Sequence, residues 1–103
     1  MRISGMAGNS YNAEQAELLA IKVLEWIATN PPLFTTFLNM TGSTRESITD
    51  NYGNSEFLAS VMDFLLMQKD VLILECCQYA SVSPEDPLKA RRALPGGEEF
   101  NWT

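Results

Sequence analysis

Apolar residues recur along this chain at intervals of three and four, the spacing that lays side chains on one face of an α-helix. Between residues 13 and 29, Ala16, Leu19, Ala20, Val23, Leu24 and Ile27 form one such stripe. The outline then returns: Val23-Leu24-Glu25-Trp26-Ile27 reappears 38 positions later as Val61-Met62-Asp63-Phe64-Leu65. In the same register Leu33-Phe34 fall on Val71-Leu72, and Gly42 falls on Ala80. The pattern predicts an all-α fold, a compact bundle of five or six short helices in two similar halves, about 13–50 and 55–94.

Capping and breaking residues set the helix limits. Asn12, with Gln15 three places on, has the form of a capping box and opens the first helix. Asn30-Pro31-Pro32 ends it and starts a second, because a proline in the first turn gives up an N–H that has no helical partner there. That helix, about 31–41, is expected to bury Leu33, Phe34, Phe37, Leu38 and Met40, with Gly42 as a left-handed stop. Ser43-Thr44-Arg45-Glu46 reads as a second capping box opening a short helix or turn that inserts Ile48, and Thr49 to Asn54 reads as a turn between the halves. Helices follow at about 55–67, with Phe57, Leu58, Val61, Met62 and Leu65 as the stripe, and at about 70–80. Ser83-Pro84-Glu85-Asp86 opens a last helix to about Leu94, which Pro95-Gly96-Gly97 terminates. The expected shared core is Trp26, Phe34, Phe37, Phe57, Phe64 and Tyr79. The expected organisation is a flexible leader at 1–12, one helical domain at 13–97 and a flexible tail at 98–103.

Leu33-Phe34-x-x-Phe37-Leu38-x-x-Thr41-Gly42, the repeated aromatic helix and the closing Ala93-Leu94-Pro95-Gly96 together resemble a small alphaproteobacterial family catalogued as a domain of unknown function. The resemblance covers roughly residues 13–97. It implies a compact helical domain with no established activity, substrate or cofactor, and it carries no functional residue over.

Several chemistries are disfavoured by composition. The chain has no histidine, which removes the commonest general base, the Ser-His and Cys-His nucleophile pairs and imidazole metal ligands. No glycine-rich phosphate cradle is present. A formal charge of −6 argues against broad nucleic-acid binding and against docking on anionic lipid, while permitting a basic partner. Adjacent Cys76 and Cys77 suit neither a disulfide framework nor a C-x-x-C redox pair and read as small buried hydrophobes. Met1 to Ser10 lack the apolar run of a signal peptide, and charges interrupt every longer apolar stretch, so a cytoplasmic location away from membranes is expected.

The candidate sites are therefore few. Glu25 and Asp63 are matched carboxylates that duplicated helices would bring together as an acid/base or metal pair, but each lies opposite its own apolar stripe, as a solvated side chain does. Lys89, Arg91 and Arg92 form the basic cluster, near a helix C-terminus where cations complement the helix dipole. The 38-position register replaces Thr35, Thr36 and Asn39 with Ile73, Leu74 and Cys77, leaving the 70–80 helix apolar nearly all round. Such a helix is either central to the domain or covered by a partner. Leu18 and Ile21 lie off the main stripe of the first helix, and Phe100 and Trp102 stand in the acidic tail. The expected function is a small noncatalytic protein-interaction or adaptor domain able to self-associate. Its candidate interface is Leu18, Ile21, Ile73, Leu74, Cys77, Phe100 and Trp102, and no cofactor or metal is expected. The alternative is a small-molecule or metal-assisted enzyme using Glu25 and Asp63.

Overall fold

The computed structural model describes residues 11–95, within which the chain forms six helices and no strand. They are α1 (Ala13–Ala28), α2 (Pro31–Thr41), α3 (Arg45–Asn51), α4 (Ser55–Leu66), α5 (Asp70–Ala80) and α6 (Asp86–Arg92). The expected leader up to Ser10, Gly96-Gly97 and the tail lie outside the described residues.

Helix starts follow side-chain chemistry. Asn12 Oδ1 accepts from the Gln15 N–H at 2.7 Å while the Asn12 N–H donates to Gln15 Oε1 at 3.2 Å, a reciprocal cap that satisfies two otherwise orphaned donors. Asn30 accepts from the Leu33 N–H at 3.3 Å and places Pro31-Pro32 in the first turn of α2. The cap of α3 lies one residue later than Ser43-x-x-Glu46 implies. Thr44 and Ser47 exchange the two bonds, at 3.1 and 2.8 Å, because a serine hydroxyl at the third helical position reaches back as a glutamate would. The helix then continues to Asn51, through residues whose composition reads as a turn.

Two helices end in the same way on different residues. Gly42 takes φ 68° after α2 and the Ser43 N–H donates to the Leu38 carbonyl at 3.0 Å; Ser81 takes φ 60° after α5 and the Val82 N–H donates to the Cys77 carbonyl at 3.0 Å. A left-handed residue with a Cβ costs about 1–2 kcal/mol, and a Cβ at Gly42 would meet nothing within 4 Å, so only the torsional term operates there. Gly42→Ala is therefore expected to lose about 1 kcal/mol of stability. Ser81→Gly is expected to gain about 0.5–1 kcal/mol, reduced by the looser unfolded chain. Urea midpoints of the two variants check the opposite signs.

The hub of the bundle is α1, which packs against α2, α4, α5 and α6, while α4 also packs against α6. Its buried arc accordingly takes in Trp26 as well as the stripe from Ala16 to Ile27. Phe37 is fully enclosed, edge-on to Phe57 and Phe64 with ring centroids 6.0 and 5.2 Å away. Two expected core residues lie outside it: Tyr79 is 48% exposed and Met40 58% exposed. Helix order follows the 38-position register, but the packing does not repeat with it, since α1 packs on α2 whereas the main partners of α4 are α1 and α6.

The physical reason is a one-residue offset. The face that α5 turns inward carries Ile73, Cys76, Cys77 and Ala80, at i, i+3, i+4 and i+7. The register would have aligned Leu72 and Glu75 with the buried Phe34 and Phe37 of α2. A one-residue shift turns a helix by about 100°, so what reads as an extra outer face is partly the inner one.

Candidate functional site

The predicted interface residues separate into several environments. Cys77 is 3% exposed, part of the inward face of α5, and it leaves the candidate surface; Ile73 is half-buried and Leu74 is 45% exposed. Leu18 is exposed and Ile21 half-buried on α1. Phe100 and Trp102 lie outside the described residues.

Two apolar grooves of about 300 Å³ each take in Ile21, Ile73 and Leu74 of this set, while Leu18 lines neither. One lies between α1 and α3, lined by Ile21, Leu24, Ala28, Ile48 and Tyr52 with Glu25 and Thr49 at its edge. The other is lined by Leu66 at the end of α4, Asp70, Ile73 and Leu74 of α5, Pro84, and Leu88 of α6. Beside the second groove Met67 and Val71 are also largely exposed, so bulky apolar side chains open to water run from the end of α4 onto α5 and α6. Leu66, Pro84 and Leu88 went unpredicted. A signal for Leu88 exists: Pro87, Ala90 and Leu94 are the buried stripe of the last segment, and Leu88 stands off it.

The charged candidates do not converge. Asp63 binds Arg91, with Arg91 Nε donating to Asp63 Oδ1 at 2.6 Å, and Arg91 Nη1 donates to the Pro95 carbonyl at 2.9 Å. Arg91 thus fastens α6 and the departing chain to α4, and Asp63 is paired with a cation rather than with Glu25. Glu25 is among the residues lining the groove between α1 and α3. Among the described residues no group of three or more cysteine, aspartate and glutamate side chains is placed to share a cation.

Chemistry in the interior is muted by burial. The Cys76 thiol is pushed up to about 12, first by burial and then by the neighbouring Cys77, and Cys77 is raised by burial and by the charge of Asp86. Both thiols therefore stay protonated and unreactive at neutral pH. Tyr11 is likewise raised to about 12, first by burial and then by the carboxylate of Asp86.

Among the described residues no helix is long and apolar enough to cross a membrane. No curated protein and no solved structure matches the chain. The sequence profile of a family described as a protein of unknown function (DUF3572) matches residues 13–97, which include all six helices and both grooves, and the chain belongs to that family.

Proposed function

We propose that the domain is a noncatalytic protein-interaction module whose contact surface is the groove between α5 and α6. The observation that carries this reading is the cluster of Leu66, Ile73, Leu74 and Leu88 around an open apolar groove, flanked by Met67 and Val71. Water bears the cost of that surface in the free domain, and an apolar side chain seated there recovers roughly 25 cal/mol for each Å² covered.

The charge around the groove is graded, and the gradient selects the occupant. The C-terminal half of α6 carries Lys89, Arg91 and Arg92, with Arg92 one turn from Leu88 on the same face, whereas Asp86 opens α6 directly after Glu85. A segment that presents acidic residues to the basic end and bulky apolar residues to the groove satisfies both. The preferred occupant is therefore a short acidic-aromatic segment of a protein.

A displayed peptide library selected against the intact chain tests this. Acidic-aromatic sequences are expected to be enriched. Their affinity is expected to fall about tenfold or more in Leu74→Asp and Leu88→Asp, which place a charge where an apolar anchor sits, and to hold in Met40→Asp, an exposed site on α2. Leu74 and Leu88 are nearly half exposed, so their substitutions are expected to leave thermal unfolding close to the parent. Binders that ignore both groove substitutions, or a selection that yields none, would overturn the reading.

A further inference from the structure

We infer that the chain supplies an occupant for its own groove: the C-terminal segment Glu98-Glu99-Phe100-Asn101-Trp102 docks between α5 and α6 and competes with external ligands. The inference rests on the groove reading above and adds its regulation.

The last described residues lie beside the groove. Arg91 holds the Pro95 carbonyl and Asp63 together. One helical turn from Asp63 on α4 is Leu66, and one turn from Arg91 on α6 is Leu88; both line the groove. The last described residues are thus fastened at its border, next to the basic end of α6.

Reach and order also fit. From Arg92 back to Asp86, α6 is seven residues and about 10 Å long. Gly96 to Phe100 can span up to about 17 Å, enough to reverse direction and run back along α6. Gly96-Gly97 accept the positive φ values that such a reversal demands. Running in that direction, Glu98 and Glu99 meet Lys89 and Arg92 first, and Phe100 and Trp102 come next, over Leu88 and Leu74. The segment has the acid-then-aromatic order that the charge gradient selects, and its tether gives it an effective concentration of order millimolar without a partner.

Tryptophan fluorescence on the full chain reads the docking directly. The chain has two tryptophans, of which Trp26 is buried in the bundle, so the difference between the parent and Trp102→Phe isolates the signal of Trp102. That signal is expected to be blue-shifted and protected from acrylamide. In Leu74→Asp and Leu88→Asp it is expected to move to the red and lose its protection, while in Met40→Asp it stays. The double variant Phe100→Ser/Trp102→Ser is expected to bind a library-selected acidic-aromatic peptide about tenfold more tightly than the parent, the gain for a groove nine-tenths occupied by the tail.

A Trp102 signal that is solvent-like in the parent, or unchanged by both groove substitutions, would overturn the inference. So would light scattering that finds a dimer dispersed by Trp102→Ser, which would put the tail in the groove of a second copy. If selected peptides still require Leu74 and Leu88 in any of these cases, the groove reading stands and only its occupant is wrong; if they do not, both fall together.

Discussion

Replacing Phe37 with alanine is expected to cost about 3–5 kcal/mol, the loss typical of a large aromatic side chain removed from a closed core. The ring is fully buried and meets Phe57 and Phe64 edge-on, so truncation removes its own transfer free energy and leaves two aromatic edges facing a void. A domain of this size holds roughly 5–15 kcal/mol in total, so the loss is a large share of the margin that keeps it folded. Met40 lies one turn further along α2 and is largely exposed, and Met40→Ala is expected to change stability by no more than about 0.5 kcal/mol. Urea unfolding followed by circular dichroism checks both values. Equal losses at the two positions would mean that α2 is rotated from the orientation described.

Raising the pH is expected to unfold the domain between about pH 9 and pH 12. Cys76, Cys77 and Tyr11 are all held protonated in the fold, with ordinary values of 9.0 for the thiols and 10.0 for the phenol, and Cys76 and Tyr11 are raised to about 12. A raised acid binds its proton more tightly in the native state. Its contribution to stability is therefore fully present below the unfolded value and is lost as the pH climbs toward the folded one. Each thiol adds a slope of up to about 1.4 kcal/mol per pH unit in that window. Cys76→Ala removes one of these slopes and is expected to flatten the decline, though it lowers the plateau below pH 9 through lost packing. At pH 8 neither thiol is expected to react with a disulfide reagent until urea is added. A flat profile to pH 11, or rapid labelling of the native protein, would show the thiols to be open to water.

The limits of the helices were legible because local chemistry sets them. Asn12, Asn30, Pro31-Pro32 and Gly42 each act within one turn of the backbone, and the structure has all of them in their expected roles. The left-handed stop at Ser81 was not legible, since serine has no preference for that conformation and the closure to the Cys77 carbonyl depends on how α5 packs. For the same reason Tyr79 was misplaced, because on a helix with Val71, Leu72, Ile73, Leu74, Cys76 and Cys77 the apolar pattern has no single direction.

The candidate surface was read in part. Ile73 and Leu74 border the groove, and Ile21 borders the other one, but Cys77 faces the core and Leu88 was passed over. Asp63 illustrates the limit most directly. Its exposed position follows from the stripe on α4, whereas its partner Arg91 is 28 residues away and unrelated by any local rule.

What the sequence determined by itself is the helical class, the starts and stops of most helices, and the residues able to line a core, because periodicity, capping and proline and glycine stereochemistry operate over a few residues. Only the tertiary structure decided that α1 is the hub, that α5 turns Ile73, Cys76, Cys77 and Ala80 inward, and that a groove opens between α5 and α6. Those outcomes depend on which of several apolar faces finds the better complement across the bundle, and that competition is settled by contacts between residues far apart in the chain.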